Sequence, residues 1–240
     1  MITIDDKDFK VGVGVITIGK RKLPDYKTEK SGADFKVFID KDRKGVAYAR
    51  NMLIKQFYDS GYDYWFIFDD DVYPNEPDHV SYIKYFTEIA YKFNYDCFLS
   101  PEYFRDSICG STDNGEITLF SDAMSQFMFC SRKMVEVIGY IPTLPNNYGY
   151  EDALFLNMLK LAQSKGLINN GVNGIPCPTK ALCFIHPTDM YSDNKESFTN
   201  MTYEEKQSAI SANAHYFEKI KNKISEGKYF FSFDEVMDGE

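Results

Sequence analysis

Short apolar runs alternate with amphipathic stretches through the first hundred residues, and this alternation restricts the fold more than any other feature of the chain. The run VGVGVITI (Val11 to Ile18) is β-branched and unbroken, as a strand buried on both faces must be. After a polar loop, FKVFID (Phe35 to Asp40) reads as a second strand ending in an acid. KGVAYARNMLIKQFYDSG then reads as a helix, with Val46, Leu53, Ile54 and Phe57 on one stripe and Gly61 as its stop. YDYWFIF is a third strand, PDHVSYIKYFTEIAYKF a second helix with a Pro-Asp start, and DCFLSPEYF a further strand. Strand and helix in this order predict an α/β fold: a mostly parallel, doubly wound sheet with helices on both faces. Ligands bind such sheets at the carboxyl ends of the strands. The glycines of GVGVITIG lie inside a strand, so they do not form a dinucleotide-binding fingerprint.

Further along, EITLFSDAMSQFMFCSRKMVEVIGYI begins as strand and turn and becomes a short helix over Arg132 to Ile138. YGYEDALFLNMLKLAQSKG is a helix with an acidic first turn, TKALCFIHP a late strand, and MTYEEKQSAISANAHYFEKIKNKI a C-terminal helix before a frayed acidic end. The polar stretch 191–200 is expected to be mobile.

Charge and cysteine usage narrow the function. The net charge of −9 argues against a sequence-independent nucleic-acid binder, leaving only a small basic rim at Lys20, Arg21 and Lys22. Five cysteines, an odd number without a C-x-x-C pair, argue against zinc and a disulfide framework and suggest a reducing compartment. The first residues lack the apolar core of a signal peptide, and no apolar run approaches the ~20 residues of a membrane span. The expectation is a cytoplasmic protein without integral membrane association.

Four features carry candidate chemistry. First, the apolar run Tyr62 to Phe68 ends in Asp69, Asp70 and Asp71. Unpaired, these carboxylates would repel one another. If the strand continues, alternation turns Asp69 and Asp71 towards one point and Asp70 elsewhere. Paired hard oxygens suit Mg²⁺ or Mn²⁺, which stabilise charge on a leaving diphosphate. The plain alternative is a solvated acidic turn. Second, Arg50 falls on the inward stripe of its helix and needs an anionic partner, for which Asp40 or Asp69 would serve. It could also steady a phosphate. Third, Glu151 and Asp152 open a helix, where the macrodipole favours anions. They are either helix-end acids or, with Tyr148, Gly149 and Tyr150 lining the approach, a carboxylate able to deprotonate an acceptor hydroxyl. Fourth, His186 leaves the late strand before a proline, as a structural residue or a metal ligand. His79 and His215 read as surface residues.

In this order the motifs resemble the nucleotide-sugar-dependent glycosyltransferases of the GT-A fold. YDYWFIFDDDVYP looks like their strand ending in Asp-x-Asp, and GVAYARNMLI like the helix carrying Ala-Arg-Asn. PNNYGYEDALFLNML resembles the Asn-Asn-Tyr and Glu-Asp segment of the β-1,4-galactosyltransferase group, and FIHP sits where that group has a metal-binding histidine. The resemblance spans roughly residues 11 to 190. It implies a Rossmann-like three-layer sandwich with a C-terminal helical extension: a catalytic domain over 1–190, and a mobile loop and helix over 191–240 packed on it. It also implies Asp152 as general base and Glu151 as a residue positioning sugar or acceptor. Thr17, Arg21, Asp40, Arg50, Asp69 and Asp70 would line the nucleotide-sugar pocket. Asp69, Asp71 and His186 would hold Mn²⁺ (or Mg²⁺). The implied reaction is in-line, inverting transfer from a UDP-sugar to an acceptor hydroxyl on a glycan or a modified nucleic-acid base. Where the group has a tryptophan and paired glycines before Glu-Asp, this chain has Tyr148-Gly149-Tyr150.

Three other readings stand beside it. A nucleotidyltransferase also sets acids and a metal beside a doubly wound sheet, but carries a glycine-rich basic loop where TIGKRKLP offers only Gly19. A noncatalytic sugar-binding domain would not need Asp152. A phage-type enzyme glycosylating modified DNA bases would use the small basic rim.

Overall fold

The computed structural model of the chain describes residues 1–26, 28–29, 31–75, 81–95, 98–101, 111–113, 118–120, 126–146, 149–169, 172–175, 183–185 and 202–238. Its strands are β1 (Ile2–Ile4), β2 (Lys7–Phe9), β3 (Val11–Thr17), β4 (Asp34–Ile39), β5 (Tyr64–Asp69), β6 (Tyr73–Asn75), β7 (Phe98–Pro101), β8 (Ser111–Asp113), β9 (Thr118–Phe120), β10 (Phe127–Ser131), β11 (Val172–Ile175) and β12 (Cys183–Ile185). The helices are α1 (Val46–Asp59), α2 (Tyr82–Phe93), α3 (Arg132–Ile138), α4 (Glu151–Ser164), α5 (Tyr203–Ser225) and α6 (Phe233–Asp238).

Eight strands form the central sheet in the order β4-β3-β5-β10-β7-β11-β9-β8. β3 pairs in parallel with β4 and β5, and β11 with β7; the remaining pairings are antiparallel. Followed across the sheet, those pairings leave β10 and β9 running against the other six strands. The sheet is therefore mostly parallel in direction, as expected, but β10 is an antiparallel insertion between β5 and β7.

Alternation along β5 divides the core. Trp65 and Ile67 belong to a cluster with α1, α3 and α4, while Phe66 and Phe68 belong to a second cluster with α2 and the β1–β2 hairpin. Burial of both faces explains why the strand reads as one apolar run. The glycines of β3 have a packing role. A Cβ on Gly12 would stand 2.2 Å from the Phe57 ring, and one on Gly14 2.8 Å from Leu53 Cδ1. Their bare backbone lets α1 lie directly against the sheet, which sets where Arg50 emerges.

The expectation for the C-terminus needs correction. The acidic end is not frayed: Phe231 bridges to Gly139, its carbonyl accepting the Tyr140 N–H at 2.9 Å, and α6 follows. Ser232 and Glu235 cap that helix reciprocally, and Phe233 packs on Tyr140. α5 stacks Phe217 on Tyr150 with ring centroids 4.6 Å apart, so the C-terminal helix lies against the start of α4. The late strand β12 pairs with β6 in a separate two-stranded sheet, outside the central one. His186, His79 and the stretch 191–200 lie outside the described residues; His215 is exposed on α5. No helix among the described residues is long and apolar enough to cross a membrane.

Candidate functional site

The carboxyl ends of β3 and β5, the second turn of α1 and the first turn of α4 meet at one acidic centre. β5 ends at Asp69, and the backbone turns there, the Val72 N–H donating to the Asp69 carbonyl at 3.1 Å. Strand alternation therefore stops before Asp70. The expected divergence of Asp70 is overturned, since it shares a partner with Asp71, while Asp71 stays near enough to Asp69 for its charge to raise that carboxyl. Asp70 and Asp71 share one partner, Arg21, whose Nη1 lies 2.6 Å from Asp70 Oδ1 and 3.0 Å from Asp71 Oδ2. The other Asp70 oxygen accepts from Thr17 Oγ1 at 2.6 Å, and that hydroxyl accepts the Gly19 N–H.

Asp69 faces Arg50 instead. Arg50 Nη2 donates to Asp69 Oδ1 at 3.0 Å, and Nη1 reaches Asp152 Oδ1 at 3.4 Å. The arginine side chain is 4% exposed, whereas those of Asp69 and Asp152 keep 23% and 38% of their surface. One buried cation thus spans two acids from different motifs, both open to an incoming molecule. Arg50 lies on the inward stripe as anticipated, but its partners are Asp69 and Asp152 rather than Asp40. Asp40 accepts from the Lys44 and Gly45 N–H groups, at 2.9 and 2.8 Å, and closes the loop entering α1.

Burial decides the protonation tendencies. It pushes the Asp69 carboxyl up to about 6, against the opposing pull of Arg50. Glu151 rises well above the usual carboxylate range, first through burial and then through the neighbouring charge of Asp152, to which it is hydrogen-bonded. Arg50 and Arg21 hold their protons more tightly than free arginine because the acids outweigh their burial. α4 starts from Tyr150 in the left-handed region (φ 73°), with no side chain capping it, so Glu151 and Asp152 are first-turn acids rather than caps.

Sequence reasoning missed three residues. Asn51, fully buried, donates to the Ile141 carbonyl at 2.8 Å and accepts the Ile141 N–H at 2.9 Å, fixing the segment that leads to α4. Its place beside Arg50 on the inward face, where a polar residue needs partners, was the available signal. Tyr26 is 2% exposed, and its hydroxyl has no hydrogen-bond partner among the described residues. Burial, then Asp70, Asp69 and Asp71 in turn, hold its proton on. Gln126 accepts the Asp69 N–H through its carbonyl and leaves its side-chain oxygen buried and unpaired. Neither had a signal in the sequence. Five buried side-chain atoms lack a partner among the described residues; four of them, Arg21 Nε, Arg50 Nε, Tyr26 Oη and Gln126 Oε1, surround this centre.

The donor set suits a hard cation in kind. Asp69, Asp70, Asp71, Glu151 and Asp152 supply five carboxyl groups against two guanidinium groups. Among the described residues, however, no three acidic, histidine or cysteine side chains are gathered as a ready cage.

No protein-family model and no curated protein matches the chain. Solved structures are similar to it. A Drosophila β-1,4-galactosyltransferase in complex with manganese, UDP-Gal and xylobiose is 15% identical, with a TM-score of 0.46, covering 82% of this chain and 79% of its own. UDP-glucose pyrophosphorylase complexed with UDP-glucose is 14% identical, with a TM-score of 0.39, covering 87% and 81%. A protein from STIV is 21% identical, with a TM-score of 0.38, covering 53% and 67%.

Proposed function

We propose that the chain is a metal-dependent glycosyltransferase moving a sugar from a nucleotide-diphosphate donor, a UDP-sugar, to an acceptor hydroxyl with inversion. The observation that carries this reading is Arg50, which ties the strand-end acid Asp69 to the helix-opening acid Asp152. A donor-binding group and a proton acceptor are thereby held side by side.

In this scheme Asp152 accepts the acceptor hydroxyl's proton as its oxygen bonds to the anomeric carbon. The bond from that carbon to the diphosphate oxygen breaks, and the diphosphate leaves with the electron pair. Arg50 holds Asp152 against Asp69 and limits the rotamers of both acids. Glu151, which retains its proton more readily than an ordinary glutamate, donates to a sugar or acceptor oxygen. Asp71 and Asp69, with His186, would hold Mn²⁺ or Mg²⁺, which supplies Lewis-acid stabilisation of the departing diphosphate. Thr17 fixes Asp70, which in turn holds Arg21, and the three would line the donor pocket.

A screen of nucleotide-sugars, reading Mn²⁺-dependent release of UDP or GDP, tests the reaction class. Asp152→Asn should keep nucleotide binding and lose transfer. Full turnover by that variant removes Asp152 as the base, and absence of release from every nucleotide-sugar removes glycosyl transfer.

A further inference from the structure

The way Arg21 holds its two acids is unusual. A guanidinium normally meets carboxylates through a two-pronged fork. Here a single nitrogen, Nη1, serves both Asp70 and Asp71, while Nε is buried with no partner among the described residues. Arg21 lies between β3 and β4, outside any strand or helix, so it can turn without disturbing the sheet. Asp70 is fixed through its second oxygen by Thr17. Next to them the Tyr26 hydroxyl, also buried and without a partner among the described residues, lies close to the same acids.

We propose that Arg21 is an exchangeable counter-ion: a divalent cation reaches Asp71, beside Asp69, only together with a phosphate-bearing ligand that draws the guanidinium away. The inference rests on the metal- and nucleotide-binding reading above and adds the rule by which the site fills. With Arg21 in place, an incoming cation meets a positive charge already bonded to both carboxylates. Once a diphosphate is present, Nε and Nη2 form its fork and the cation takes the place of Arg21 at Asp71. Cation and anion then bind with positive coupling, and by linkage each strengthens the other equally.

Isothermal titration of the full chain with MnCl₂ alone, UDP alone and both together tests this, after allowing for Mn²⁺–UDP association in solution. Wild type should bind MnCl₂ about tenfold more tightly when UDP is present, a coupling typical of linked sites. Arg21→Gln should bind MnCl₂ alone about tenfold more tightly than wild type does, and UDP should no longer help, since the repelling charge is gone. Arg21→Lys, which restores the charge without the fork, should return MnCl₂ binding to the weak wild-type level. Wild type that binds MnCl₂ equally with and without UDP overturns the exchange while leaving a metal site intact. The exchange is equally overturned if Arg21→Gln gains nothing for MnCl₂. Wild type that binds neither MnCl₂ nor UDP removes the functional reading and the exchange with it.

Discussion

Arg50 and Asp69 form an ion pair of 3.0 Å in which the arginine is almost wholly buried and the acid is not. The pair joins the second turn of one core-facing helix to the end of the central strand. Removing the cation leaves Asp69 and Asp152 facing each other across a low-dielectric gap. Fully buried pairs cost about 3–5 kcal/mol when one partner is deleted, but Asp152 is open to solvent and screened. Arg50→Met should therefore lower unfolding free energy by about 2–3 kcal/mol in urea at neutral pH. Adding Asp69→Asn should recover about 1 kcal/mol or more of that loss. Strict additivity of the two substitutions would show that the pair is not coupled.

The raised Asp69 carboxyl has a pH signature. Its folded pKa, about 6, lies above the ordinary 3.8, so the folded state binds this proton more tightly than the unfolded state does. Stability from that preference is complete below the unfolded value and is lost as pH rises through the folded one. Relative to Asp69→Asn, metal-free wild type should lose up to about 3 kcal/mol between roughly pH 4 and pH 6 and change little above pH 7. Urea titrations across that range measure the difference, and parallel curves for the two proteins would refute the assignment.

Much of this was legible beforehand, for reasons that also show where legibility stops. β3, α1, β5 and α3 announce themselves because burial on one or both faces imprints a period on the sequence. The direction of β10 does not: FMFCS is equally apolar whether it runs with or against β5, and only pairing decides. The three aspartates marked the site, but their orientations depended on the residue at which the strand ends. Asp40 is marked in the sequence only by following a strand; that its oxygens accept two loop N–H groups depends on a turn no local pattern encodes. The Tyr26 hydroxyl, without a partner among the described residues, is placed by a loop that packs the ring on Phe35 of β4 and Phe68 of β5, a contact that leaves no local pattern.

Gly12 offers a direct check of the helix-on-sheet contact. A methyl group there would overlap the Phe57 ring, and Phe57 is fully buried against Trp65 and Tyr62. Gly12→Ala should cost about 1–3 kcal/mol through overpacking. Combined with Phe57→Leu, the alanine should cost less than it does alone, which a double-mutant cycle in urea would reveal. An equal cost in both backgrounds would mean that α1 does not rest on this glycine.

Asn51 carries a comparable structural load. Asn51→Ala leaves both the N–H and the carbonyl of buried Ile141 without partners. The expected loss is about 2–3 kcal/mol, with the segment before α4 loosening first. Hydrogen exchange at the Ile141 amide should accelerate more than at amides of β5. Unchanged protection at Ile141 would contradict the role.

Tyr26 separates stability from function most sharply. Its hydroxyl is buried without a partner among the described residues, so it brings the folded state its desolvation and no compensating bond from them. Tyr26→Phe keeps the ring stacked on Phe35 and packed on Phe68 while removing only the oxygen. The variant should be as stable as wild type or up to about 1 kcal/mol more stable, a direction rare for core substitutions. If the hydroxyl is held ready for a ligand oxygen, the same variant should bind UDP with MnCl₂ about tenfold more weakly, the value of one directed hydrogen bond. Thermal unfolding and calorimetry on one preparation give both numbers. Lower stability with unchanged binding would make Tyr26 an ordinary structural residue, whereas the opposite pair of results marks a group retained for the site at the expense of the fold.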